Sequence, residues 1–125
     1  MIYCEKYFKR HETACECCGD NHMDAGFMLE LGMLRHECQF PFIVTSGYRC
    51  KKRNEEVGGK PNSTHLKGYA VDIKLPSNTA DMHKLLKSAT AMSFNIGIYP
   101  ESIHLDIRLD ESKNYCWIKH DYNKG

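Results

Sequence analysis

The spacing of hydrophobic residues changes along this chain, and each change of period marks an element. Over residues 21–38, Met23, Phe27, Leu31, Leu34 and Cys38 recur at three- and four-residue steps, which places them on one face of a helix. Asn21, with Asp24 three residues on, supplies a polar start for the exposed backbone N–H groups and an acid at the positive helix end. A second helix is predicted over 79–92, opened by Ser77 or Asn78 and packing Met82, Leu85, Leu86 and Ala89. A short helix over 52–57 would stop at Gly58-Gly59, residues suited to the left-handed conformation of helix ends.

Elsewhere the period is two. Segments 42–45, 69–75, 95–99, 103–109 and 115–119 read as short strands joined by short turns. Helices and strands do not alternate regularly. The expected class is therefore α+β, a mostly antiparallel sheet with helices packed on one face, in a single domain over residues 1–125 whose first 20 residues form a cysteine-rich segment.

Two strands carry unusual polar faces. In AVDIKL, Val71, Ile73 and Leu75 share one face while Ala70, Asp72 and Lys74 share the other. In IHLDIRL, Ile103, Leu105, Ile107 and Leu109 oppose His104, Asp106 and Arg108. Imidazole and carboxylate stand where a solvated sheet would carry threonine, serine and lysine. His65 precedes the first strand in a loop that Gly68 lets turn sharply, so His65, Asp72 and His104 converge if the two strands pair. Three ligands of His and Asp type with an open fourth position are the usual holders of a catalytic zinc. The spacing alone leaves open whether they are ligands or coincident polar residues.

Composition narrows the function. The chain has 125 residues, 42% hydrophobic and 26% charged, with formal net charge +1, so it lacks the clustered basic excess of a nucleic-acid binder. The densest basic run, Arg49-Cys50-Lys51-Lys52-Arg53, is followed by Glu55 and Glu56 and reads as a solvated helix start. No apolar run is long enough to cross a bilayer, and the polar N-terminus does not resemble a secretory signal, so stable membrane association is not expected. Seven cysteines cannot all pair within a monomer. In a reducing cytosol free thiols are the expected state, with disulfides open after release. Cys15, Cys17 and Cys18 also have the spacing of a structural metal site, for which Cys38, Cys50, His11 or His22 would have to complete the set. No signature surrounds any cysteine that would make it a nucleophile.

Three segments together resemble a known family. Ser46-Gly47-Tyr48-Arg49, Ser63-Thr64-His65-Leu66-Lys67-Gly68-Tyr69-Ala70-Val71-Asp72 and Glu101-Ser102-Ile103-His104 are similar, in order, to the SGYR, SxHxxGxAxD and ExxH motifs of the M15 zinc peptidases. That family includes D-alanyl-D-alanine carboxypeptidases, D,D-dipeptidases and phage L-alanyl-D-glutamate endopeptidases, and shares its fold with the Hedgehog signalling domain. Cys15-Glu16-Cys17-Cys18-Gly19 resembles the start of the small phage-type branch. The resemblance implies one zinc ion held by His65, Asp72 and His104, with Glu101 as catalytic base and Arg49 binding an oxyanion or a substrate carboxylate. Glu101 and His104 differ in strand parity, so Glu101 can share the site only from a turn, for which Pro100 is suited. Asp106 would either orient a ligand histidine or pair with Arg108, and Ser63 would either shape the pocket or cap its loop. Tyr48 and Trp117 would line a cleft or belong to the core.

The implied protein is a monomeric peptidase acting on peptidoglycan stem peptides. It would be made in the cytoplasm without a signal peptide and reach the bacterial wall on phage lysis, or form part of a virion. L-Alanyl-D-glutamate endopeptidase is the first expectation and D-Ala-D-Ala carboxypeptidase or dipeptidase the second. A non-catalytic, Hedgehog-like binding or virion module that retains the zinc is the competing class.

Overall fold

A computed structural model describes residues 6–108 and 114–119. Five strands form one sheet: β1 (Val44–Ser46), β2 (Ala70–Lys74), β3 (Asn95–Ile98), β4 (Ser102–Asp106) and β5 (Cys116–Ile118). Their spatial order is β1-β2-β4-β3-β5, antiparallel at every junction except β3 with β5, which run parallel. A short 3-10 helix (Arg10–Thr13) precedes α1 (Ala25–Cys38), α2 (Lys51–Glu56) and α3 (Thr79–Ala91). The α+β expectation holds. Among the described residues, no helix is long and apolar enough to cross a membrane.

The period-two face builds the core. Val71, Ile73, Ile96, Ile103 and Leu105 meet Phe27, Met28, Leu31, Leu34 and Cys38 of α1 and Leu85 and Ala89 of α3. Met82 and Leu86 pack against this cluster while partly buried. Leu109, assigned from the alternation to the same face as Ile103, lies outside the described residues.

The start of α1 differs from expectation. Asp24, not Asn21, caps the helix, its side chain accepting from Phe27 N. Asn21 instead donates to Arg10 O at 2.8 Å and Thr13 Oγ1 at 2.9 Å, and accepts from Met23 N. Both residue types cap helices well; here tertiary contacts with the N-terminal segment claim the asparagine. For α3 the choice falls on Asn78, whose side chain accepts from Asp81 N.

The central pairing positions the site. β2 and β4 align Asp72 opposite His104 and Ala70 opposite Asp106. On the other side of β4, Asn95 and Gly97 of β3 stand opposite Asp106 and His104. The face away from α1 and α3 therefore gathers polar side chains. Loops cover it: every residue of β4 is buried, polar ones included.

Candidate metal centre

His65, Asp72 and His104 come together as the alternation predicts if β2 and β4 pair. One ligand atom from each lies within 4.8 Å of the others, and all three residues are buried. His65 arrives from the loop before β2. Gly68 closes that loop at φ +76, and a Cβ there would stand 2.1 Å from the His22 carbonyl oxygen, so glycine is required on both counts. Ser63 caps the same loop, its Oγ accepting from His65 N at 3.2 Å.

Hydrogen bonds fix which ring nitrogen faces inward. His65 Nδ1 lies 2.8 Å from the Gly47 carbonyl oxygen, which can only accept, so Nδ1 carries the proton. Its Nε2 is then a lone pair, buried and without a hydrogen-bond partner among the described residues, 3.4 Å from Asp72 Oδ1. A buried nitrogen left in this state is costly in an ordinary core. It fits a cation between His65 and Asp72.

His104 places Nδ1 2.9 Å from Asp72 Oδ1 and Nε2 2.6 Å from Asp106 Oδ2. Burial pushes its pKa down, but the Asp106 and Asp72 carboxylates outweigh this and raise it to about 9. Burial likewise raises Asp72, yet His65 and His104 hold its carboxyl well below the usual range. Burial lowers His65, which keeps it neutral. One anionic and two imidazole donors are a donor set suited to zinc.

Asp106 and its neighbours form the next layer. Its Oδ2 also accepts from Thr64 Oγ1 and Arg108 Nη2, each at 3.3 Å, and its Oδ1 from Asn95 Nδ2 at 2.8 Å. The two alternatives for Asp106 thus occur together: it orients His104 and pairs with Arg108. Arg49, 3% exposed, aims Nη2 at Asp72 Oδ2 across 3.6 Å and is held by Ser46 Oγ and Asn54 Oδ1. Burial lowers its pKa, and the Asp72 carboxylate opposes the shift.

A cleft of about 570 Å³ opens over His104. Ser63, Thr64, Tyr69, Tyr99 and Trp117 line it, and Lys60, Lys67, Arg108 and Lys119 make it basic. Trp117 packs 5.5 Å from the His104 ring. Gly97 makes room for the indole, since a Cβ there would lie 2.5 Å from it. A groove of about 630 Å³ beside β1 contains none of the three converging residues. Tyr48 does not line the cleft; it meets His22 edge-on, with ring centroids 5.0 Å apart.

Glu101 is not one of the converging groups. It is exposed, in the tight turn where Tyr99 N donates to Ser102 O between β3 and β4. It lies immediately before β4, three positions ahead of His104. The turn expected from Pro100 is present.

Asn54, Thr64, Asn95 and the Gly47 carbonyl are contributors that sequence reasoning missed. Asn95 shares the polar face of the sheet with His104, a signal legible in the alternation of Asn95-Ile96-Gly97-Ile98. The Gly47 carbonyl has no side-chain signature at all.

Cys15, Cys17, Cys18 and Cys50 form a second cluster, again with ligand atoms within 4.8 Å of one another. Of the other candidates, Cys38 is in the hydrophobic core, where burial pushes its thiol up to about 11. His11 and His22 are not part of the cluster.

No curated protein matches the chain. The profile described as Peptidase M15 matches residues 6–106, a span that contains both clusters and all three motif segments. The chain belongs to the Peptidase M15 family.

Proposed function

We propose that this chain is a zinc-dependent peptidase that cleaves peptidoglycan stem peptides, with the L-alanyl-D-glutamate bond as its preferred target. The observation that carries the reading is the buried His65–Asp72–His104 group, whose His104 lines a basic cleft. Zinc bound there would supply Lewis acidity, polarising a carbonyl and acidifying water. The remaining roles fall to the chain. The Gly47 carbonyl and Asp106 set the tautomers of His65 and His104. Arg49 faces the Asp72 carboxylate and would help to orient it, beside the role in binding an oxyanion or a substrate carboxylate that its motif position implies. Lys60, Lys67 and Lys119 suit a substrate bearing carboxylates, as stem peptides do.

Glu101 is the proposed base, on the strength of its motif position. It would take a proton from the attacking water and return it to the departing amine. It sits in an exposed turn between β3 and β4. The same exposure favours one second reading, a zinc-containing module that binds without cleaving.

Digestion of a defined muropeptide, followed by mass spectrometry of the fragments, tests both. New L-alanine C-termini and D-glutamate N-termini are expected. Release of terminal D-alanine would instead identify a carboxypeptidase. Glu101→Ala should keep zinc and lose cleavage; full cleavage by that variant removes Glu101 from the mechanism. Absence of any cleavage by the zinc-loaded parent would leave the binding module.

A further inference from the structure

The cysteine cluster lies outside the proposed catalytic centre, and the peptidase reading does not use it. Cys15, Cys17 and Cys18 occupy one tight turn, closed by Cys15 N donating to Asp20 O at 2.7 Å and Gly19 N to Cys15 O at 2.8 Å. Gly19 takes φ +77 there. Cys50 reaches the turn from 35 residues away in sequence, and its backbone N–H donates to Cys15 Sγ at 3.4 Å. Cys50 Sγ in turn accepts from Arg53 N at 3.4 Å. N–H groups aimed at sulfur stabilise it as thiolate, the form that ligates metal.

The sulfur spacing discriminates between fates. Cys15 and Cys17 Sγ lie 3.6 Å apart, Cys17 and Cys50 Sγ 3.1 Å, and all four within 4.8 Å. Four sulfurs at the Zn–S length of about 2.3 Å in a tetrahedron would stand roughly 3.8 Å from one another. A disulfide joins two sulfurs at about 2.05 Å and gives no reason for four to converge. An all-sulfur, closed set of four excludes magnesium and calcium and suits zinc.

We propose that Cys15, Cys17, Cys18 and Cys50 form a structural tetrathiolate zinc site, separate from the His65–Asp72–His104 centre. Four thiolates and one zinc ion carry a net charge of −2. The basic run Lys51-Lys52-Arg53 follows the fourth ligand directly, although Arg53 also pairs with Glu16 and Glu56. The site ties the N-terminal segment to the loop between β1 and α2. That junction is already tight: Tyr48 N donates to Thr13 O at 2.9 Å, and a Cβ on Gly47 would lie 2.5 Å from the same oxygen. The braced loop carries the Gly47 carbonyl and Arg49, which orient His65 and Asp72.

Metal analysis of the full chain, purified under reducing conditions, should find two zinc ions per chain. His65→Ala and the double variant Cys17→Ser/Cys18→Ser should each retain one. Cobalt substitution should give thiolate-to-cobalt charge-transfer absorption in the parent and in His65→Ala but not in the cysteine variant. Should the cysteine variant fold poorly, the parent suffices. Cys17 and Cys18 are exposed, so without metal they alkylate readily, whereas with zinc they should resist until a strong chelator is added. A parent whose only zinc disappears with His65→Ala overturns the proposal, as does iron in place of zinc or rapid alkylation of both thiols in the zinc-loaded chain. Because the two sites are counted separately, loss of the catalytic assignment would leave the tetrathiolate count unchanged.

Discussion

Replacing Asp106 with asparagine changes one atom type and tests whether the layer behind His104 controls the metal centre. All four groups around this carboxylate are donors: His104 Nε2, Thr64 Oγ1, Arg108 Nη2 and Asn95 Nδ2. Asparagine keeps one acceptor oxygen and adds two N–H donors, so one side of the group must then face donor against donor. If the oxygen stays on His104, the new amide meets Asn95 Nδ2. Asn95 cannot turn over to help, because its Oδ1 already accepts from Tyr115 N at 2.6 Å. A buried donor without a partner costs about 1–3 kcal/mol. Losing the carboxylate behind a ligating histidine typically weakens metal binding about 10–100-fold, or about 1.4–2.7 kcal/mol. Zinc affinity, measured by competition with a chromophoric chelator, should therefore fall by that factor. Nitrogen NMR should show the protonated Nε2 of His104 in the zinc-loaded parent and a mixture of states in the variant. Affinity within threefold of the parent, with the fold intact by circular dichroism, would refute a role for Asp106 in orienting His104.

Arg49→Ala removes the guanidinium facing a buried Asp72 carboxylate; breaking such a pair from one side costs about 3–5 kcal/mol, to be read as a lower urea midpoint at pH 7. Gly97→Ala would push a methyl group into Trp117, at a cost of about 1–3 kcal/mol, and the emission of this single tryptophan should shift as the ring leaves His104. The metal-free protein should lose stability toward alkaline pH. His104, raised from 6.5 to about 9 despite its burial, contributes fully below about pH 6.5 and loses that contribution as pH rises through about 9. His65, lowered by burial, contributes above pH 6.5 and loses its share as pH falls. Urea titrations of chelator-treated protein at pH 6.5 and 9.5 check the alkaline arm; equal midpoints would contradict it. Cys38, buried and with its thiol pushed up to about 11, should resist alkylation in the native state and react only on unfolding.

Alternation made the central site legible because a strand has only two faces. Asp72 and His104 fall on the polar face of their own strands, and the β2–β4 register then sets them directly opposite. Choice among equivalent residues was not legible. Asn21 and Asp24 are both good caps, and contacts with Arg10 and Thr13, remote in sequence from the helix, decided between them. Cysteine spacing pointed to a turn with three thiols and to Cys50 as one of several candidates for the fourth. Cys50 qualifies through the chain path from β1 into α2, while Cys38, equal to it on spacing, is claimed by the core. The parallel pairing of β5 with β3 likewise depends on a return path that short-range pattern does not encode.

The two clusters meet in five residues. Ser46 accepts from Arg49 Nε, Gly47 offers its carbonyl to His65, Tyr48 is pinned to Thr13, Arg49 faces Asp72 and Cys50 joins the N-terminal turn. A ligand imidazole must be held to within fractions of an ångström, yet its hydrogen-bond acceptor here is a backbone oxygen in a loop. Backbone in a loop is rigid only if something fixes it. On one side β1 does so through its pairing with β2. On the other the anchor is the contact with residues 13–18, a segment with little core of its own beyond Thr13 and Cys15. Cross-linking that segment to Cys50 would supply the missing constraint. Emptying the tetrathiolate site should then weaken zinc at His65, Asp72 and His104 without altering any of these residues, whereas emptying that second site should leave the cysteine site's spectrum intact.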